Sequence, residues 1–146
     1  MSDENSQTPG VGGWFPYEPS KSVKLISPIV LAYIGDAIYE VAVRQYLISL
    51  ANLRPNHLHR SATGFVSAKA QCAILHFLDP QLTEAERDVV RQGRNAKSGT
   101  VPKNADVMEY RHATAFECLI GHLYYTGQQE RIQKLVDSGI EFMNNR

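Results

Sequence analysis

The chain has 146 residues, of which 43% are hydrophobic and 21% are charged, a composition typical of one globular domain with its own core. Its formal net charge is +0, so no overall field attracts a polyanion and any such contact must come from a local patch. The polar start MSDENSQTPG is unlike a signal peptide and no apolar run reaches membrane-spanning length, so we expect a cytoplasmic protein with no membrane partner.

The periodicity of the sequence predicts an all-α fold. Residues 1–22 are rich in Gly, Pro and Ser and are expected to form a flexible N-terminal tail whose aromatic residues could dock on the body, and residues 23–146 form the domain. No alternating strand pattern and no internal repeat occurs. The predicted helices cover about residues 28–50, a short segment capped by Asn56, and residues 61–78, 84–91, 105–125 and 128–142.

Helix ends are marked by specific residues in this pattern. Ser27 followed by Pro28 can cap and start the first helix, and Thr83 with Glu86 has the spacing of a capping box. Gly93 and Gly127 are expected to end the helices that precede them.

Asp36 is an anomaly in the first helix. It lies within the apolar run LAYIGDAIYE, where an unpaired charge would be costly to bury. Glu40 has a partner four residues later in Arg44, but the residue four before Asp36 is Ala32. The sequence therefore leaves Asp36 without a basic partner in its own helix.

Glu117 poses the same problem in YRHATAFECLIGHLYY, where its neighbours four residues away are Ala113 and Gly121. Two such carboxylates repel each other unless they share a proton or bind a cation. A Mg²⁺ ion is typically held by one or two carboxylates, with waters and substrate phosphates completing its shell. The alternative is that Asp36 and Glu117 lie at the surface or cap other helices.

A basic segment, RQGRNAKSGTVPKN at residues 91–104, precedes the helix that carries Glu117 and contains no acidic residue. We expect residues 93–104 to form a loop. Its basic side chains, hydroxyls and glycines are groups that bind phosphates, so a phosphate-binding loop is the functional interpretation. An ordinary exposed loop is the alternative. The candidate phosphate-binding residues are Arg91, Arg94, Lys97 and Lys103, and a second basic run at residues 57–69 adds Arg60 and Lys69.

The cysteines and histidines do not indicate a further metal site. Cys72 and Cys118 lie in apolar helical runs without CxxC spacing, so we expect reduced core residues and neither a disulfide nor a zinc site. His112 and His122 lie five residues either side of Glu117, roughly 140° away around the helix.

At this point the motifs resemble those of a known family. LAYIGDAIYE is similar to the signature helix of ribonuclease III catalytic domains, and TAFECLIGHLYY to their second catalytic helix, with HRSATGFVSAKAQ between them. GRNAKSGTVPKNADV and YRHATAFE resemble Mini-ribonuclease III, the short bacterial branch of that family. The resemblance covers about residues 25–142.

The resemblance implies a ribonuclease III endonuclease-domain-like helical bundle that acts as a homodimer. It implies Mg²⁺-dependent cleavage of double-stranded RNA by water, leaving 5′-phosphate and 3′-hydroxyl ends. The implied substrate is a precursor of large-subunit (23S) ribosomal RNA, with a large-subunit ribosomal protein as a helper. No separate double-stranded-RNA-binding domain is expected in this branch.

By position, Asp36 and Glu117 match the two central metal-binding carboxylates of the family. The larger enzymes add acids at two positions that are Ala32 and Thr114 here. We therefore expect Asp36 to face Glu117 across a Mg²⁺ ion, with RNA phosphate completing its shell. The RNA backbone would be held by Arg94, Asn95, Lys97, Lys103 and Lys69.

Two rival functions remain at this stage. The first is a catalytically inactive RNA-binding or ribosome-associated module of the same fold, which the missing acids at Ala32 and Thr114 favour. The second is a helical interaction protein whose acidic residues lie at the surface.

Overall fold

The computed structural model describes residues 13–97 and 101–146. Within those ranges the chain forms six α-helices and no strand, which confirms the all-α prediction. The helices are α1 (Pro28–Ile48), α2 (Pro55–Val66), α3 (Ala68–Leu78), α4 (Glu84–Asn95), α5 (Val107–Tyr125) and α6 (Gln129–Asn144). In this part of the chain, none of the helices has both the length and the hydropathy needed to cross a membrane.

Most helix ends lie close to where capping residues predict them. The Ser27 side chain accepts a hydrogen bond from the Val30 amide at 3.3 Å, with Pro28 in the first turn of α1. Thr83 and Glu86 form the reciprocal capping box of α4. Gly127 takes a positive φ of 72° just after α5, a conformation that favours glycine.

Two of the predicted helix boundaries are wrong. Residues 55–66 form one helix, and the break falls at Ser67, which takes an extended conformation and caps α3 through the Ala70 amide. Gly93 does not end its helix, and α4 continues to Asn95. A Cβ at Gly93 would lie only 2.9 Å from the Ala115 Cα, so this glycine permits close helix packing instead.

Helix α5 is the centre of the core. Its buried side chains include Phe116, which meets Tyr39 of α1 edge to face with ring centroids 5.0 Å apart. The Tyr39 hydroxyl donates a hydrogen bond of 2.8 Å to the Phe65 carbonyl at the end of α2. Helices α1, α3 and α4 each pack directly against α5, so side chains from three helices can meet around it.

An ion pair between a buried glutamate and a half-buried arginine fixes α4 against α6. Arg131 binds Glu86 with both ends of its guanidinium, at 2.7 Å from Nε to Oε2 and 2.8 Å from Nη2 to Oε1. The Arg131 hydrogen bond holds the pKa of Glu86 below its usual value, against the opposing effect of burial. Helix α4 is thereby held in place, and its C-terminal turn begins the basic segment.

The described part of the N-terminal segment docks on α5. The Trp14 amide donates a hydrogen bond of 2.8 Å to the Tyr124 hydroxyl, and the two rings meet edge to face at 5.6 Å. Phe15 and Tyr17 remain exposed. Residues 13–22 contain no helix or strand, residues 1–12 lie outside the described ranges, and the flexible tail stays a prediction.

Candidate active site

The site forms where α1 and α5 cross backbone to backbone. A Cβ at Gly35 would overlap the carbonyl oxygen of Glu117, and a Cβ at Gly121 would overlap that of Leu31. Each glycine therefore faces the backbone of the other helix, where no side chain fits. This crossing places Asp36, the residue after Gly35, beside the Glu117 side chain.

The carboxyl group of Asp36 lies beside that of Glu117, close enough to raise its pKa through a hydrogen bond and through charge. Asp36 is exposed, whereas Glu117 is half-buried, so the cost of burying a charge falls on Glu117. Burial, followed by the hydrogen bond and the charge of Asp36, raises the pKa of Glu117 well above its usual range. Within the described residues neither carboxylate makes an ion pair with a Lys, Arg or His.

Gln71 of α3 is the third member of the site, and sequence reasoning did not single it out. Its amide nitrogen donates to the Val66 carbonyl at 2.9 Å and to Glu117 Oε2 at 3.2 Å. Because a carbonyl can only accept, the Val66 contact fixes which end of the amide faces Glu117. The Gln71 side chain is 2% exposed, and its oxygen has no hydrogen-bond partner in the part of the chain described here.

Ala32 and Thr114, the two positions at which the resemblance implied further acids, contribute no charge. Ala32 is buried with Leu31 and Cys118. Thr114 is half-buried, and its hydroxyl donates to the Tyr110 carbonyl at 3.0 Å within its own helix. The carboxylate chemistry of the site therefore comes from Asp36 and Glu117.

Glu40 lies one turn after Asp36 and forms the predicted pair with Arg44 at 3.4 Å. Both side chains of that pair are solvent-exposed to a substantial degree, so the pair contributes little to stability. The charge of Glu40 adds a smaller upward effect on the pKa of Glu117. Glu40 thus increases the negative potential around the carboxylate pair.

The predicted phosphate-binding residues are distributed over three elements. Arg94 and Asn95 form the last turn of α4, where Gly93 contacts α5 at Ala115 and Cys118, within two residues of Glu117 along that helix. Lys97 and Lys103 are exposed in the connection to α5, and Lys69 is exposed in the first turn of α3. Residues 98–100 of the predicted loop lie outside the described ranges.

The sequence profile of the Ribonuclease III domain matches residues 29–128, a range that contains both carboxylates. The chain belongs to the ribonuclease III family.

Similar curated proteins indicate the branch of this family to which the chain is most similar. A Mini-ribonuclease 3 from Brevibacillus brevis is 52% identical over 119 residues, which cover 82% of this chain and 89% of the relative. A Mini-ribonuclease 3 from Symbiobacterium thermophilum is 50% identical over 118 residues, covering 81% and 91% of the two chains. This ribonuclease III domain is therefore an endoribonuclease, a hydrolase acting on RNA phosphodiester bonds.

A solved structure supports the fold. The crystal structure of a protein from Fusobacterium nucleatum superposes with a TM-score of 0.74 at 33% identity, covering 84% of this chain and 98% of that one. The predicted ribonuclease III-like helical bundle is thereby confirmed.

The arrangement in this ribonuclease III domain fits a hard divalent cation. Two carboxylates in contact, one of them half-buried, have no counter-ion among the described residues. Oxygen ligands of this kind suit Mg²⁺, which takes few protein ligands and keeps several positions for water and phosphate. Asp36 and Glu117 would hold the ion, and the exposure of Asp36 leaves the site open to a large substrate.

The two cysteines of the domain are not equivalent. Both thiols are free, and Cys118 is buried, where burial raises its pKa to about 12. Cys72 is only half-buried, so the prediction that it belongs to the core is wrong. Cys72 lies on α3 next to Gln71, and its thiol is partly accessible to solvent, whereas that of Cys118 is buried.

Proposed function

We propose that this ribonuclease III domain is a Mg²⁺-dependent endonuclease that cuts double-stranded RNA and uses Asp36 and Glu117 as its metal-binding carboxylates. The observation that carries the proposal is the contact between these two acids at the glycine crossing of α1 and α5, without a basic partner in the described residues. Two neighbouring carboxylates repel each other unless they share a proton or bind a cation.

The protein's own residues would orient the reaction. Gln71 donates to Glu117 from a buried position, which fixes the direction of that carboxylate and favours its charged form against the larger opposing effect of burial. Asp36, being exposed, would meet the scissile phosphate first. When bound, Mg²⁺ would make a water molecule more acidic and offset the negative charge that builds on the phosphate.

The products follow from the direction of attack. A water oxygen that bonds to phosphorus displaces the 3′ oxygen, which takes up a proton and leaves as a hydroxyl. The phosphate stays on the 5′ end of the downstream fragment. We therefore expect 5′-phosphate and 3′-hydroxyl ends.

The substrate class is inferred from the family resemblance and from the charge distribution. A-form RNA is read mainly through its phosphates and 2′-hydroxyls, which suits a domain of net charge +0 that carries a basic segment without acidic residues at 91–104. From the resemblance of its motifs to Mini-ribonuclease III we infer a precursor of 23S ribosomal RNA as the substrate, presented with the help of a large-subunit ribosomal protein. That substrate implies a cytoplasmic location.

A second copy of the chain completes the proposal. Helix α1 carries apolar side chains at helical spacing on its outer face, and Tyr33 is 82% exposed there. A homodimer that covers this face would bring two carboxylate pairs together, one for each RNA strand. The apolar residues on this face are Val30, Tyr33, Ala37, Val41 and Ile48.

The decisive experiment is cleavage of an end-labelled RNA duplex by the wild-type protein and by Asp36→Asn, each in Mg²⁺ and in EDTA. We expect cuts in the wild type with Mg²⁺ alone, and fragments with 5′-phosphate ends. Cutting that persists in EDTA, or at an undiminished rate in Asp36→Asn, would refute the proposed site. Duplex binding without any cutting would favour the catalytically inactive module.

A second prediction concerns the basic segment. Replacing Lys97 with Ala is expected to weaken duplex binding similarly for all sequences and to reduce the slope of log K against log salt by about 1. Filter binding at several salt concentrations measures both quantities. Lys134→Ala is the matched control, because Lys134 is an exposed lysine on α6, away from the basic segment. An equal change in both variants would argue against a role for Lys97.

A further inference from the structure

A second group of metal-ligating side chains lies where α3 meets α5. Cys72 and His76 are one turn apart on α3, and His112 reaches them from α5. One ligand atom from each residue lies within 4.8 Å of the others. This group is distinct from the carboxylate pair, because His112 lies five residues before Glu117 and roughly 140° away around α5.

The spacing suits a small tetrahedral ion. Zinc bonds to sulfur and imidazole nitrogen place these two atoms roughly 3.6 Å apart on a tetrahedron. Cys72 Sγ and His76 Nδ1 are already 3.8 Å apart. The rings of His76 and His112 lie with centroids 4.8 Å apart, so a modest side-chain rotation closes the site.

His112 is held in the form that a metal requires. Its Nδ1 lies 2.7 Å from the Met108 carbonyl oxygen, and since that oxygen can only accept, Nδ1 carries the hydrogen. In the neutral ring, which is the form that binds a metal, the free lone pair is then on Nε2. A ligating histidine typically donates its second nitrogen to a backbone carbonyl in this way.

The surrounding charge also favours a cation. Burial raises the pKa of the Cys72 thiol, and the negative charges of Glu109 and Asp106 raise it further. Asp106 caps α5, and Glu109 lies three residues before His112, on the same side of that helix. Either carboxylate is placed to attract a divalent ion to the thiol.

We propose that Cys72, His76 and His112 form a zinc site that clamps α3 to α5, with its fourth position taken by water or by the carboxylate of Glu109. A thiolate and two imidazoles select Zn²⁺ over Mg²⁺, which prefers oxygen. Binding replaces the thiol proton by the metal, so one proton leaves for each ion bound. Gln71 directly precedes Cys72, so the clamp would also steady the amide that holds Glu117.

Cobalt is the probe that tests this assignment, because Co²⁺ reports its ligands by absorption. The protein is titrated with Co²⁺ and then with Zn²⁺ in an Asp36→Asn background, which weakens binding at the carboxylate pair. We expect a thiolate-to-cobalt charge-transfer band and tetrahedral d–d bands that saturate at one equivalent and are displaced by Zn²⁺. Cys118 stays in place throughout, so a band lost in Cys72→Ser belongs to Cys72.

Affinity variants separate the site from adventitious binding. Competition with a chromogenic chelator is expected to show at least tenfold weaker Zn²⁺ binding in Cys72→Ser and in His112→Ala. His59→Ala is the control, because His59 is exposed on α2 outside the group and its loss leaves the affinity unchanged. Circular dichroism establishes whether each variant is folded. If Cys72→Ser or His112→Ala fails to fold, His76→Ala replaces it, because His76 is exposed.

The outcomes distinguish this inference from the proposed nuclease function. Octahedral cobalt spectra without a thiolate band, or equal Zn²⁺ affinity in wild type and Cys72→Ser, would overturn the zinc site. Either result leaves the cleavage assay untouched, since that assay depends on Asp36 and Glu117. Conversely, a thiolate-bound cobalt in a protein that never cuts RNA would support the zinc site alone.

Discussion

Replacing Glu117 with Gln is expected to lower the rate of duplex cleavage by roughly 1,000-fold or more while the RNA stays bound. A loss of this size corresponds to about 4 kcal/mol of transition-state stabilisation, a reasonable value for removing a metal's protein ligand. The glutamine keeps the shape of the side chain and can still accept the Gln71 hydrogen bond. Single-turnover cleavage, with filter binding of the same duplex, measures the two effects separately.

The same substitution should make the metal-free protein more stable. The pKa of Glu117 is higher in the folded state than in the unfolded chain, where it is about 4.3. The wild-type protein therefore loses stability as the pH rises from the unfolded-state pKa through the folded-state pKa. The substituted glutamine does not titrate, so the variant escapes this loss. We therefore expect a higher Tm for the metal-free variant than for the metal-free wild type near pH 8, and a smaller difference near pH 4, where both side chains are uncharged when folded.

Mg²⁺ should make the wild type the more stable of the two proteins. It is expected to raise the Tm of the wild type, whose carboxylate pair it relieves, and to have little effect on Glu117→Gln. Glu84→Gln is the matched control, since Glu84 is exposed in the first turn of α4, away from the site. If Mg²⁺ stabilises Glu117→Gln as much as the wild type, Glu117 is not a metal ligand.

Gly35→Ala is expected to destabilise the whole domain by about 3 kcal/mol or more, because its methyl group would overlap the backbone carbonyl of Glu117. A side chain can rotate away from such an overlap, but a carbonyl inside a helix cannot. Helices α1 and α5 must then move apart, and Asp36 moves with α1. Urea denaturation gives the free energy of unfolding, and we expect cleavage to fall with it.

Gly64→Ala tests whether the effect belongs to the crossing. Gly64 lies inside α2, and a Cβ there would have no neighbour within 4 Å. Alanine is the better helix former, so this variant should gain up to about 1 kcal/mol. A small loss in Gly35→Ala, similar in size to the change in Gly64→Ala, would mean that the two helices can separate at little cost.

Local signals in the sequence predicted much of the fold. Ser27, the Thr83–Glu86 box and Gly127 act within one turn of their own positions, so their effect can be read from neighbouring residues. Gly93 shows the limit of this approach. It looks like a helix stop, but its role is to admit Ala115 from a distant helix, which no local pattern encodes.

The same distinction applies to the site. Asp36 and Glu117 were singled out because each is an acid with no basic neighbour in its own apolar helix. Gln71 stands in a similar apolar run, AKAQCAIL, but a neutral amide carries no obvious cost, and its importance depends on α3 reaching α5. Cys72, His76 and His112 likewise become a group only when these helices pack.

The contact between Trp14 and Tyr124 determines what intrinsic fluorescence reports. Trp14 is the only tryptophan of the chain, and it lies at the periphery, with its amide bound to a side chain of α5. Emission excited at the tryptophan therefore follows release of the N-terminal segment rather than melting of the core. Fluorescence and circular dichroism will give different midpoints wherever that segment detaches first, and the difference measures how firmly it is held.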